Sequence, residues 1–262
     1  MELDDAYANA AHIAGAADYP PRWAERAKAF RDRLAKTGHA KLSLAYGDRP
    51  REVFDLFLPN AAPKGLSIFV HGGYWLRFDN SYWSHLAAGP LAQGWAVAMP
   101  SYDLCPDVRI ADITRQIACA ITTAARHIAG PLALTGHSAG GHLVARMGVQ
   151  GVLPTHVAQR LNSIVPISPV ADLRPLLKTS MNDQFGLDMA AAKAESPVLM
   201  TPMDVPVSVW VGGDERPAFL DQARWLAEAW GCDHIVAEGK HHFDVIDALA
   251  DPDSAMVAAL LG

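Results

Sequence analysis

Ser138 lies in Gly136-His137-Ser138-Ala139-Gly140, a G-x-S-x-G pattern. Pro131–Thr135 before it reads as a buried strand, and the stripe Leu143, Val144 and Met147 after it reads as a helix. A serine at such a sharp strand-to-helix turn is held in a strained conformation that projects its hydroxyl from the sheet. The flanking glycines avoid clashes with the neighbouring strand and helix. A free serine hydroxyl is a poor nucleophile near neutral pH, so it needs a base within reach and an acid that orients the base. Two later segments carry those residue types. Asp214 and Glu215 follow the apolar run Val207–Val211, and His241 and His242 follow His234–Ala237. The order serine, acid, histidine fits an acyl-transfer triad, with either carboxylate as acid and either histidine as base. His71-Gly72-Gly73 comes directly after the run Leu66–Val70. Backbone N–H groups of Gly72 and Gly73, with that of Ala139 at the helix start, are the donors an oxyanion would need.

These residues must be held by a sheet. Leu66–Val70, Ala96–Met99, Leu132–Thr135, Ser163–Ile167, Val207–Val211 and His234–Ala237 are short, near-continuous apolar runs, as strands covered on both faces should be. Between them, Tyr82–Gln93, Ile110–His127, Ala139–Val149, Pro217–Trp230 and Ser254–Leu261 read as helices. The alternation predicts an α/β fold with a mostly parallel central sheet and helices on both faces. Leu42–Tyr46 and Glu52–Leu58, with Gly47-Asp48-Arg49-Pro50 between them, predict an antiparallel hairpin ahead of it. Residues 1–40, with helical spacing from Trp23 to Leu34, form an expected helical extension that packs on, or covers something of, a single domain over 41–262. Residues 169–205, with four prolines, form an expected irregular cap segment.

Composition narrows the function. Of the 262 residues, 50% are hydrophobic and 19% charged, enough apolar material for a large core. A net charge of −6 lacks the basic footprint of a nucleic-acid binder. No apolar run approaches the ~18 residues of a membrane span. The start Met-Glu-Leu-Asp-Asp is acidic where a secretory signal is basic, and Cys105, Cys119 and Cys232 lack CxxC spacing. A cytoplasmic protein with no disulfide framework, metal or other cofactor is expected. Gly212-Gly213 is no phosphate loop, and His241-His242 has no ligand partner at metal spacing. His142 reads as a helix-face residue rather than a catalytic one. Tyr74, Trp75 and Trp83 flank the glycine loop and either line a pocket or pack in the core.

His71-Gly-Gly-Tyr-Trp75, Gly136-His-Ser-Ala-Gly140 and His242-Phe-Asp-Val-Ile246 together resemble the α/β-hydrolase family. Within it they resemble the kynurenine formamidase (arylformamidase) branch, close to the hormone-sensitive-lipase-like esterases. Tyr102-Asp-Leu-Cys-Pro106 looks like the family's stretch after its fourth strand, and the resemblance spans about residues 40–250. It implies Ser138 as nucleophile and His242, the histidine directly before Phe243, as base. The family's Gly-x-x-acid spacing, counted from Gly212, implies Glu215 as acid. The family more often has Asp, and Asp214 stays the alternative. The implied oxyanion donors are Gly72, Gly73 and Ala139. Tyr74 stands where lipase-like members often carry a third glycine, so its N–H is the implied third donor. The implied activity is cleavage of a small-molecule carboxylic ester or aryl formamide through an acyl-enzyme. The alternative is a catalytically inert binding protein on the same fold. Oligomeric state is not legible.

Overall fold

Eight strands form one sheet: β1 (Ala40–Ala45), β2 (Val53–Phe57), β3 (Leu66–Val70), β4 (Ala96–Pro100), β5 (Leu132–His137), β6 (Leu161–Ile167), β7 (Ser208–Gly212) and β8 (Asp233–Ala237). The computed structural model describes residues 1–262. The spatial order is β1-β2-β4-β3-β5-β6-β7-β8. β1 and β2 form the expected antiparallel hairpin, β2 also runs antiparallel to β4, and every other pairing is parallel.

Nine α-helices accompany the sheet: α1 (Tyr19–Lys36), α2 (Ala88–Ala92), α3 (Ile110–Ala124), α4 (Ala139–Met147), α5 (Thr155–Ala158), α6 (Asn182–Phe185), α7 (Met189–Ala194), α8 (Pro217–Trp230) and α9 (Ala255–Leu261). Strand side chains alternate between two cores. Leu132 and Leu134 of β5 enter one and Ala133 the other. The first core is closed by α3, α4 and α8, through residues such as Ile117, Leu143 and Phe219. The second is closed by α1 and α9, through Trp23, Phe30, Met256 and Leu260.

One expected helix is not continuous. Tyr82–Gln93 is divided into 3₁₀ turns at Asn80–Tyr82 and Ser84–Ala87 followed by α2. Pro90 has no N–H and its ring blocks a preceding helical turn, so a regular helix can begin only shortly before it. Gly89, inside α2, lets that helix lie close to the Leu249 carbonyl oxygen, which a Cβ there would meet at 2.3 Å. The amphipathic pattern survives this interruption, which is why spacing alone suggests one helix. Residues 169–205 contain 3₁₀ turns at Arg174–Lys178 and Pro197–Leu199 as well as α6 and α7. Arg146 of α4 pairs with buried Glu195 at 3.0 Å, tying this stretch to the helix that follows Ser138.

Candidate active site

β5 delivers Ser138 to the C-terminal edge of the parallel strands, and α4 departs from it. Ser138 has φ 57° and ψ −117°, a left-handed conformation in a residue with a Cβ. Its N–H is tied to the Ile167 carbonyl at 2.8 Å. The chain can turn this tightly only without side chains on either side. A Cβ on Gly136 would lie 2.4 Å from the Gly140 carbonyl oxygen, and one on Gly140 would lie 2.0 Å from that of Val70.

Glu215 follows β7 and is buried, whereas its neighbour Asp214 is exposed. Glu215 Oε2 meets His242 Nδ1 at 2.5 Å. Its Oε1 accepts from the Gly212 N–H at 2.8 Å and from the Ser168 hydroxyl at 2.5 Å. The structure therefore brings Glu215, and not Asp214, to His242. His241 faces elsewhere: its Nε2 contacts the Tyr19 hydroxyl at 3.0 Å, and its Nδ1 accepts from the Phe243 N–H. The His242 ring lies between Phe219 (4.4 Å between centroids) and His137 (4.5 Å). Burial, and then the neighbouring His242, hold His137 well below the usual histidine range. His137 is thus neutral near pH 7 and puts no charge beside His242.

The glycine loop lies against Ser138. A Cβ on Gly72 would sit 2.8 Å from the His137 carbonyl oxygen and 3.0 Å from Ser138 Cβ. Gly73 has φ 108°, and Tyr74 and Trp75 also have positive φ. The N–H groups of Gly72, Gly73 and Tyr74 find no backbone or side-chain acceptor. Ala139 opens α4, where a helix leaves its first N–H groups unpaired. His71 anchors the loop. Its ring stacks on Tyr102 at 4.2 Å, and the Tyr102 hydroxyl donates to the His71 carbonyl. Burial lowers His71 to about 4, so the anchor is uncharged.

A cavity of about 840 Å³ opens over Ser138 and His242. Trp23, Phe78, Trp83 and Phe243 give it aromatic surface, and Tyr74 also borders it. Trp75 does not: it is fully buried, edge-on to His142 and Phe185. His142 is buried too, with Nε2 on the Glu195 carbonyl at 2.7 Å, away from Ser138's partners. No three His, Cys, Asp or Glu side chains are grouped so as to hold a metal ion. No helix is long and apolar enough to cross a membrane.

The family model for BD-FAE matches residues 54–210, more than half of the chain. The chain belongs to the BD-FAE family. This BD-FAE protein is an α/β-hydrolase of the kynurenine formamidase branch. It is 30% identical to the kynurenine formamidase of Drosophila melanogaster over 248 residues, which cover 86% of this chain and 81% of that protein. It is 26% identical to the kynurenine formamidase of Salmo salar, covering 84% and 80%. Its fold overlays on a proposed thioesterase from Silicibacter sp. TM1040 with a TM-score of 0.98 and 62% identity, each chain covered in full. Esterase 2 of Thermogutta terrifontis, at 18% identity and a TM-score of 0.67 over 86% of this chain, shares the fold.

Sequence reasoning about this BD-FAE protein missed two parts of the site. The first is Ser168, directly after β6, whose φ of 46° and hydroxyl contact with Glu215 follow from no motif considered. The second is which residues of the N-terminal extension, expected to pack on the domain or cover something, face the cavity: they lie in the stretch ahead of α1. Tyr7, Asn9 and several alanines between residues 8 and 17 form one wall of the cavity. The Tyr7 hydroxyl accepts from Gln222 at 2.9 Å, its carbonyl accepts from the Tyr74 hydroxyl, and Asp5 pairs with Arg216. An alanine-rich stretch has no periodic pattern that would mark it as a wall. The buried tyrosine was the one available sign.

Proposed function

We propose that this BD-FAE protein is a serine hydrolase that cleaves a small carboxylic ester or an aryl formamide through a covalent acyl-enzyme. The observation that carries this reading is the 2.5 Å contact between Glu215 and His242, beside a serine on a strained turn in the same cavity. In this mechanism Ser138 Oγ attacks the carbonyl carbon and its proton passes to His242 Nε2. The Nδ1–H donates to Glu215, which fixes the tautomer and stabilises the imidazolium. Backbone N–H groups of Gly72, Gly73 and Ala139, with Tyr74 as a third loop donor, take the oxyanion. His242 then gives the proton to the departing alcohol or amine. Water, activated by the same histidine, attacks the acyl-enzyme and releases the acid and free Ser138.

The likeness to kynurenine formamidases supports an aryl formamide as substrate, and the aromatic cavity walls suit an aryl group. The 62% identity with a proposed thioesterase makes an acyl thioester a second substrate to assay, since the same acyl-enzyme forms from it. Labelling with a fluorophosphonate, followed by peptide mapping, tests the mechanism. A label on Ser138, absent from Ser138→Ala, is the expected result. An unlabelled protein would support the inert binding protein. Steady-state rates on N-formylkynurenine, aryl acetates and a short acyl thioester then rank the substrate classes.

A further inference from the structure

Tyr19, the first residue of α1, touches both chain neighbours of His242. Its hydroxyl lies 3.0 Å from His241 Nε2, and its ring stands edge-on to His241 and Phe243, with centroids 5.4 Å and 5.5 Å away. The ring is held in turn by Trp23 at 5.6 Å and by the Arg22 guanidinium over its face at 4.3 Å. His241 Nδ1 accepts from the Phe243 N–H at 3.1 Å, so the neutral imidazole carries its proton on Nε2 and donates it to the Tyr19 oxygen. The other hydrogen bonds of His241 stay within its own turn. Its N–H donates to Asp244 Oδ1 at 2.8 Å, and its carbonyl accepts from the Asp244 and Val245 N–H groups. Outside that turn, the Tyr19 hydroxyl is the one hydrogen-bond partner of His241. His242 itself makes no backbone–backbone hydrogen bond. Docking of α1 does not need the Tyr19 hydroxyl, because the helix is buried through Trp23, Ala27 and Phe30, whereas Tyr19 is half-buried.

We infer that Tyr19 is a positioning residue for the base. From α1 it fixes His241, and through His241 it sets how His242 presents Nδ1 to Glu215 and Nε2 to Ser138. A displacement of about 1 Å at a reacting group can cost about 10² in rate, so a turn held by few contacts gains from an outside anchor. This rests on the hydrolase reading above and gives the N-terminal extension a part in it. Its helix steadies the proton-transfer group, while the stretch before the helix borders the cavity.

Tyr19→Phe removes the hydroxyl and keeps the ring. On phenyl acetate its kcat is expected to fall about five- to tenfold with KM unchanged. Tyr82→Phe, which deletes a hydroxyl from a ring packed on Phe78 and Trp83, is the control and should match wild type. His241→Asn keeps an acceptor at the Nδ1 position and lacks the Nε2 arm. It should reproduce the loss, and the variant carrying both Tyr19→Phe and His241→Asn should lose no more than His241→Asn alone. Melting temperatures report folding, and His241→Asn decides the matter if Tyr19→Phe does not fold. The proton between His242 Nδ1 and Glu215 supplies a readout that helix packing does not move. Its downfield NMR resonance, assigned by its loss in His242→Ala, should shift or broaden in Tyr19→Phe. A kcat within twofold of wild type overturns the inference, as does a lower kcat with that resonance unmoved, or additive losses in the double variant. Absence of ester hydrolysis and of Ser138 labelling in the wild type would sink the hydrolase reading, and the resonance would still decide Tyr19. A resonance moved by Tyr19→Phe supports the contact, and an unmoved one overturns it.

Discussion

The Ser168 hydroxyl donates to Glu215 Oε1 at 2.5 Å, on the carboxylate oxygen that His242 does not use. The serine is itself pinned, because its N–H donates to the Trp210 carbonyl of β7 at 2.7 Å. Two adjacent strands thus fix one carboxylate, with the Gly212 N–H as a third donor. Its left-handed backbone (φ 46°) is a strained conformation for a residue with a Cβ.

Ser168→Ala should therefore lower kcat by about tenfold with KM nearly unchanged. The size is that of one hydrogen bond to a charged group, partly offset by the remaining Gly212 donor. Steady-state kinetics on any accepted ester checks this. A kcat equal to wild type would mean that Ser168 does not position Glu215.

Glu215→Gln should cost on the order of 10³–10⁴ in kcat, the scale seen when a serine protease loses its orienting carboxylate. Asp214→Asn should stay within about twofold of wild type, since Asp214 is exposed and Glu215 holds His242. The two variants are measured side by side. A larger loss in Asp214→Asn would transfer the role of acid to Asp214.

Gly140→Ala should destabilise the protein by at least about 1–3 kcal/mol, the usual range for overpacking. The added methyl would meet two backbone oxygens, Val70 at 2.0 Å and His71 at 2.6 Å, and neither can rotate away. The midpoint of urea unfolding reports the change. An unshifted midpoint would contradict the rigid contact between β3 and the turn at Ser138.

How much of this was legible beforehand differs from element to element. The strand Leu66–Val70 and the helix Pro217–Trp230 appear with the expected ends, because apolar runs and the proline at the helix start mark them directly. The choice of Glu215 over Asp214 came from spacing within a family pattern, and the structure brings that side chain to His242. Spacing could not reveal Ser168, because its contact joins two strand ends that are adjacent only in the folded sheet. The continuous helix expected over Tyr82–Gln93 was lost at Pro90, which lacks the N–H a preceding turn needs. That the N-terminal extension covers part of the domain was among the expectations, but not which residues form the wall, because alanines fit almost any local structure and mark none.

Acid should weaken the fold from about pH 6.5 downward. Burial lowers His71 and His142 to about 4 in the folded protein, below the ~6.5 of a free histidine. Between those values the unfolded chain binds protons that the folded chain refuses, so stability present above pH 6.5 is lost as pH falls toward 4. Each such histidine removes about 1.4 kcal/mol per pH unit within that window. Urea midpoints at pH 7 and pH 5 test this, and equal midpoints would rule it out.

The two short turns Ala10–His12 and Ala16–Asp18 bury none of their own residues, and the nearby Asp5–Arg216 pair leaves Asp5 exposed to solvent. Ser138 and Glu215, by contrast, are buried. Native-state hydrogen exchange should separate the two. Amides between residues 8 and 18 would exchange through local opening at small cost, and those of β5 and α4 only through global unfolding. Such a division would let one wall open and close around an incoming molecule while the reacting groups keep their geometry. On the proposed mechanism, substrate entry and bond cleavage would then be governed by different parts of the chain.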